Sequence, residues 1–339
     1  MLALKLGIVN TESWAFFNEI YRDLQAHHET SLYAPRQVAA PLFQQRIERF
    51  VHKQYLQRFL ASNQVVFFEW ASGMLSAATQ QPKTCRIIAR LHRYELYQWA
   101  AHVDWQKVDR LIVVSEAKRR EFTQRFPSQA SKLVVIPEAI ALDRFSYRQK
   151  DFTGQIGILC HLSPRKRVYE LILAFHELLR RGNRLHLHIG GSGHSRYPDY
   201  EPALHALVET LKITDDVTFH GKITDPESWY SRIDVFVSNS YSEGLQVSPM
   251  EAIASGCLCV SHAWPGSNEL LPQAQIFGSE ADFITLIEAV YSAPPETVLG
   301  WQQAQLQRVR SRFDVEGIKV RIRELIGTVA QEDDRMKSS

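Results

Sequence analysis

Two glutamates eight residues apart, Glu243 and Glu251, lie in the segment Ser240-Tyr241-Ser242-Glu243-Gly244-Leu245-Gln246-Val247-Ser248-Pro249-Met250-Glu251. Ser248 before Pro249 reads as a helix N-cap followed by the first helical position. The free N–H groups at such a helix start attract an anion, and a diphosphate suits them. Glu243 falls in the loop before this helix and Glu251 in its first turn. The two carboxylates therefore flank one anion site, each able to accept hydrogen bonds from sugar hydroxyls.

A second segment, Cys160-His161-Leu162-Ser163-Pro164-Arg165-Lys166-Arg167, offers cations. Lys166 is a compact ammonium suited to neutralising an anion, with Arg165 and the ionisable His161 beside it. A third, Arg90-Leu91-His92-Arg93-Tyr94-Glu95, puts His92 in a loop after a strand, with Glu69 and Trp70 ending another strand. Arg90, Arg93 and Glu95 could recognise an anionic acceptor, and Trp70 could stack on a sugar ring. Each segment also has a plainer structural reading: a glutamate favouring a helix dipole, an exposed basic loop, a core histidine, a packed tryptophan. His186 and His188 alternate on a strand without a third ligand nearby, as do Cys257 and Cys259, and no Asp-x-Asp occurs, so no metal site is expected.

These residues need loops held at strand ends. Short apolar runs alternate with helical stretches: Leu4 to Val9, Val65 to Phe68, Arg86 to Ala89, Leu111 to Val114 and Leu133 to Ile136, then Gln155 to Cys160, Leu185 to Ile189, Val217 to Phe219, Val235 to Val237 and Cys257 to Ser261. Continuous apolar strands separated by helices predict parallel sheets covered on both faces, and two such sets predict two doubly wound domains. The expected division is residues 1–142, a linker at 143–153, residues 154–330, and a frayed charged tail at 331–339. Neither G-x-G-x-x-G nor a P-loop follows any of these strands, which argues against nicotinamide, flavin and P-loop nucleotide enzymes. Gly190, Gly191 and Gly193 read as a tight strand-to-loop turn.

The 339 residues are 45% hydrophobic and 22% charged, enough for two cores and unlike a disordered chain. A net charge of +2 gives no basic footprint for nucleic acid. The charge is uneven: residues 1–150 carry 21 Lys and Arg against 13 Asp and Glu, whereas residues 151–339 carry 18 against 24. Four cysteines without a C-x-x-C pair, and no run long enough to span a bilayer, predict a reduced cytoplasmic protein. A stretch from Phe43 to Phe59 interleaves Arg46, Arg49, Lys53 and Arg58 with Phe50 and Tyr55. It suits either an anionic membrane face or a core helix with a solvated basic side, the latter favoured.

The Glu243/Glu251 spacing around Gly244 and Pro249 resembles the Glu-x7-Glu motif of the family-4 retaining glycosyltransferases, and the segment through Lys166 is similar to that family's diphosphate-binding loop. The resemblance implies a GT-B fold, two Rossmann-like domains facing a central cleft. It assigns Glu243, Gly244, Leu245 and Gln246 to the donor sugar, Glu251 to the ribose, and Lys166 with His161 and Arg165 to the diphosphate beside Ser248. The base falls to the turn at Gly221 and Ile223. His92 becomes a catalytic candidate with Glu243 and Lys166, and Glu69, Trp70, Arg90, Arg93 and Glu95 become acceptor candidates. His161 stands where the family usually has Arg, and Pro137-Glu138-Ala139 where it often has Pro-Asn-Gly. The implied activity is transfer of a sugar from a nucleoside diphosphate sugar, the co-substrate, to a glycan or lipid-linked hydroxyl, without a bound metal or other cofactor and with peripheral contact at the inner membrane face open to it. Two rivals keep the same fold: a non-catalytic nucleotide or glycan-binding module, and a sugar epimerase or phosphorylase.

Overall fold

The computed structural model describes residues 3–14, 17–34 and 44–337, and the side chains of all of these except 44–50 and 333–337. Residues 3–138 and 315–337 form one compact unit and residues 139–314 a second.

In the first unit, β1 (Lys5–Val9), α1 (Asn18–His27), β2 (Glu29–Leu32), α2 (Gln44–Ala61), β3 (Val65–Phe68), α3 (Gly73–Thr79), β4 (Arg86–Leu91), α4 (Arg93–Gln98), β5 (Arg110–Val113), α5 (Glu116–Arg125) and β6 (Leu133–Val135) follow in order. The six strands make one sheet in the order β2-β1-β3-β4-β5-β6, every pair parallel. All four residues of β3 are buried, as expected of a central strand covered on both faces. The second unit carries β7 (Gln155–Leu159), α6 (Val168–Arg180), β8 (His186–Gly190), α7 (Tyr200–Leu211), β9 (Val217–Gly221), α8 (Pro226–Tyr230), β10 (Val235–Ser238), α9 (Ser248–Ala254), β11 (Leu258–His262), α10 (Ser267–Leu270), β12 (Ile276–Phe277), α11 (Glu280–Ser292) and α12 (Pro295–Arg312). Its sheet runs β12-β11-β10-β7-β8-β9, again parallel throughout.

Two expected boundaries move. The last helix, α13 (Val315–Lys337), belongs to the first unit and not to a 154–330 domain, because it buries Ile318, Ile322, Ile326 and Val329 and packs against α1, β3 and β4. Arg323 pairs with Asp23 and Lys319 approaches Glu19 at 3.6 Å, fixing the helix on α1. The helix also runs through the stretch expected to fray, up to Lys337. The expected linker at 143–153 is part of the second unit: the Lys150 ammonium donates to the carbonyls of Tyr230 (2.5 Å) and Ile233 (2.8 Å), and Asp234 accepts from the Thr153 amide (2.7 Å) and hydroxyl (2.9 Å). The chain passes between units at Glu138/Ala139 and Asp314/Val315.

The basic-aromatic stretch is helical from Gln44. Phe43 and the side chains of Arg46, Arg49 and Phe50 lie outside the described residues. Of the rest, Lys53 and Arg58 are exposed while Leu56, Phe59 and Leu60 are buried, and the Phe59 and Tyr55 rings pack on Tyr33. The described part is a core helix with a solvated basic side. No helix among the described residues is long and apolar enough to cross a membrane.

Candidate functional site

In an open parallel sheet, ligands bind past the carboxyl ends of the strands where chain order reverses. In the second unit that reversal lies between β7 and β10, which are neighbours although three strands apart in sequence order. The loops leaving them are the two richest in candidate residues, 160–167 and 239–247. They are laced together: the Tyr241 amide donates to the Arg165 carbonyl at 3.2 Å, Arg165 Nη1 donates to the Ser242 carbonyl at 2.9 Å, and Asn239 Nδ2 donates to the Arg167 carbonyl at 2.7 Å. That last bond holds Arg167 in the left-handed region, φ +52°, an unusual conformation for a side-chain-bearing residue. A glycine turn supports the first loop from below: Gly191 has φ +117°, and a Cβ there would stand 1.7 Å from the Cys160 carbonyl oxygen.

The charges meet on Glu243. Its Oε1 accepts from Lys166 Nζ at 2.7 Å, from Gln246 Nε2 at 3.0 Å and from Arg165 Nη1. Burial alone would raise the Glu243 pKa; the Lys166 and Arg165 cations overturn that and hold it at about 2. Gln246 relays the cluster inward, donating to Ser240 Oγ at 3.2 Å and accepting from Ser238 Oγ. Its carboxamide thus orients Glu243, a part the sequence reading did not give it. Arg165, and not His161, completes the cation pair. The His161 pKa is lowered by partial desolvation and by the neighbouring His194, Lys166 and Arg165.

Glu251 lies one turn into α9, whose first residue is Ser248 itself; the cap is Val247 and Pro249 comes second, one position later than expected. Its Oε2 accepts from the Tyr230 hydroxyl at 3.0 Å. Burial raises the Glu251 pKa, against smaller opposing effects of Tyr230 and Arg144. Tyr230, fully buried on α8, carried no sequence signal beyond a helix-facing aromatic. Gly244 and Leu245 are buried beside Glu243, while Gly221, at φ +63°, ends β9 and Ile223 lies in the turn that follows.

In the first unit the order reverses between β1 and β3. There Trp70 Nε1 donates to the Ser13 carbonyl at 3.3 Å, and the Tyr94 hydroxyl bonds Glu12. His92, 8% exposed, takes the N-cap position of α4, where its amide donates to Glu95 Oε1 at 3.4 Å, and its ring stacks on Trp70 at 4.1 Å. Arg90 is wholly enclosed and donates to Glu69 Oε1 (3.2 Å), Glu138 Oε2 (3.0 Å) and the Pro137 carbonyl (3.0 Å). Glu138 also stands 2.6 Å from His92 Nδ1. Arg90, Glu69 and Glu95 have no exposed surface, so as contacts to a solvent-borne acceptor these three are corrected: Arg90 pairs with Glu69 and Glu138, Glu95 Oε1 accepts from the His92 amide, and the remaining Arg90 Nε, Glu69 Oε2 and Glu95 Oε2 are enclosed without a hydrogen-bond partner. Trp70 and Arg93 keep partial exposure, with Arg93 also 5.0 Å over the Tyr97 ring. Glu138 was passed over as a departure from a motif, yet it is the residue on which Arg90 and His92 converge.

Three imidazoles also gather on the second sheet, where His188 Nδ1 lies 2.9 Å from His220 Nε2 and the His186 ring is 4.7 Å from that of His188. Among the described residues no group of three or more His, Cys, Asp or Glu is arranged to hold a metal ion.

Two parallel six-stranded sheets with their helices are the GT-B architecture. The crystal structure of Anabaena HepE in complex with UDP and glucose matches with a TM-score of 0.77 at 15% identity, covering 96% of this chain and 99% of that one. Residues 153–292, which hold both laced loops, match the family model of Glycosyl transferases group 1. Similar curated proteins are the alpha-monoglucosyldiacylglycerol synthase of Streptococcus pneumoniae, 27% identical over 55% of this chain and 46% of its own length, and the lipopolysaccharide core biosynthesis mannosyltransferase LpcC of Rhizobium leguminosarum bv. viciae, 24% identical over 48% and 47%. The chain spans about half the length of these two relatives in each match.

Proposed function

We propose that this chain is a retaining glycosyltransferase that moves a sugar from a nucleoside diphosphate donor to a hydroxyl of a glycan or lipid-linked acceptor. The observation that carries the reading is the convergence of Arg165 and Lys166 on Glu243 at the reversal point of the second sheet. With no donor bound, the two cations share that one carboxylate, which leaves the cluster with a surplus positive charge. A diphosphate beside α9 draws them toward itself as its bond to the sugar breaks, while Glu243 faces the positive charge that develops on the sugar ring. Glu251, with one oxygen held by Tyr230, has the other for a ribose hydroxyl. The cation pair does the work that a bridging metal performs elsewhere, so transfer is expected to survive EDTA. The relatives, an alpha-monoglucosyldiacylglycerol synthase and a lipopolysaccharide core biosynthesis mannosyltransferase, support a glycolipid or polysaccharide acceptor, and peripheral membrane contact is part of the proposal.

The test is a panel of nucleotide sugars with extracted glycolipid and glycan acceptors, read by product analysis. Glu243→Ala and Lys166→Ala should each cut transfer about 10²-fold or more with circular dichroism unchanged, and the linkage formed should keep the donor's anomeric configuration. Turnover equal to wild type in both variants overturns the donor site. A free epimerised sugar nucleotide or a sugar phosphate as product moves the activity to the epimerase or phosphorylase class, and binding without any product leaves a non-catalytic module.

A further inference from the structure

Both ring nitrogens of His92 face acceptors. Nδ1 lies 2.6 Å from Glu138 Oε1, and Nε2 lies 3.2 Å from the Glu69 backbone carbonyl and 3.5 Å from Glu69 Oε1. A carbonyl oxygen can only accept, so Nε2 must carry hydrogen. The proton shared with Glu138 could in principle sit on the carboxylate instead. Arg90 decides that question: its guanidinium is enclosed, always charged, and donates to Glu138 Oε2 at 3.0 Å, which keeps the carboxylate ionised. The remaining proton therefore stays on Nδ1. The indole face of Trp70 stacked at 4.1 Å favours a cationic ring again.

We propose that Glu138 is a positioning residue that, together with Arg90, holds His92 as a doubly protonated imidazolium, so that His92 is a fixed N–H donor and never a proton acceptor. Its role in sugar transfer rests on the function proposed above; the protonation state does not. Charge closes on this arrangement: Arg90 and His92 balance Glu69 and Glu138, all four at most 8% exposed. Glu95, facing the ring from α4, is the fifth member; burial lifts its pKa to about 7 against the opposing pull of His92. Burial alone would lower the His92 pKa, and Glu138 and Glu69 override it to about 10. In sugar transfer such a ring has no lone pair with which to take the acceptor's hydroxyl proton. It acts by orienting groups and by its charge, and a neutral residue at position 138 could not maintain it.

The decisive measurement needs no variant. In uniformly 15N-labelled full-length protein, the His92 imidazole nitrogens, assigned by their loss in His92→Gln, should both remain protonated at about pH 8, where an ordinary histidine is neutral. A neutral ring at that pH overturns the proposal. In Glu138→Gln the midpoint should fall by about two pH units or more, and Glu138→Asp should restore part of the shift; a midpoint unmoved in Glu138→Gln overturns the role of Glu138. In the transfer assay, wild type should show no His92 ionisation between about pH 7 and 9, whereas Glu138→Gln should lose turnover as pH rises through the lowered midpoint. A Glu138→Gln profile parallel to wild type at every pH overturns the positioning role. Absence of transfer by wild type with every donor counts against the proposed function alone, because the nitrogen shifts report the ring directly.

Discussion

The two units each gather glutamates and cations at strand ends, but they seal them differently. Around Arg90 the guanidinium and the Glu69 carboxylate have no exposed surface and Glu138 is 3% exposed. Around Glu243 the side chains of Arg165 and Lys166 keep 27% and 13% exposure. A sealed set of charges has only its own members and the backbone as partners; a set open on one side can exchange its carboxylate for a ligand's phosphate. On the proposed function, the first serves as a scaffold for His92 and the second as the donor site. The same pairing of residue types thus serves opposite ends, and solvent access decides which.

The largest expected effect tests the sealed set. Arg90→Leu leaves Glu69 and Glu138 buried without their cation and should cost about 3–5 kcal/mol, read as a lower urea midpoint, or prevent folding outright. Arg165→Ala should cost less than about 1 kcal/mol, since its ion pair is partly solvated. Equal losses in the two variants would erase the distinction between scaffold and site.

Next comes ligand exchange. Lys166→Ala removes a charge-assisted contact and should weaken nucleoside diphosphate binding about 10- to 100-fold by calorimetry. Glu243→Gln removes the competitor for the same cations, so diphosphate affinity should hold or rise even as transfer collapses. A parallel fall in both variants would mean that Glu243 helps to bind the diphosphate and does not compete for its cations.

Acid separates the units less than alkali does. Glu138 and Glu243 are both held at about 2, below the ordinary carboxylate value near 4.3. Each therefore contributes stability that is complete above about pH 4.3 and is lost as pH falls through about 2. His92, raised to about 10, works in the other sense: its contribution is full below about 6.5 and fades as pH rises through about 10. The urea midpoint difference between wild type and Glu243→Gln should shrink between pH 4 and 2 and stay level toward pH 10. For His92→Gln the difference should instead shrink toward pH 10.

Much of this was legible in the sequence, and the gaps have physical causes. Strands such as Val65–Phe68 and Val235–Ser238 are central and buried on both faces, so they read as apolar runs; the missed strands, Glu29–Leu32 and Ile276–Phe277, lie at sheet edges, where polar or very short segments suffice. Glu243, Lys166 and Arg165 were visible because each stands in a short motif that marks it on its own, although 77 and 78 positions separate the partners. Glu138 and Tyr230 were not, because their partners lie 46 positions (His92) and 21 positions (Glu251) away, and only the sheet brings them together. Arg90 was misjudged for a related reason: a cation beside a histidine looks accessible until two distant carboxylates are found closed over it. The placement of α13 is invisible for the same cause, since its apolar stripe says that it packs but not on which sheet.

The smallest effect concerns Tyr230, the buried side of the open site. Its hydroxyl is one donor to Glu251 Oε2, and a hydrogen bond to a charged group contributes about 1.5–3 kcal/mol at most when fully formed. Tyr230→Phe keeps the ring between Phe236 and Trp229, so the packing survives. Burial already raises the Glu251 pKa and Tyr230 opposes that rise, so loss of the hydroxyl pushes the carboxyl further up. The protonated form of Glu251 is then favoured, and it orients less firmly toward a ribose. Nucleoside diphosphate affinity should fall about three- to tenfold. Glu251→Gln should also weaken binding, and adding Tyr230→Phe to it should change little further. If the two losses simply add, Tyr230 acts on the fold and not through Glu251, and the open site lacks the buried support that Arg90 gives its counterpart.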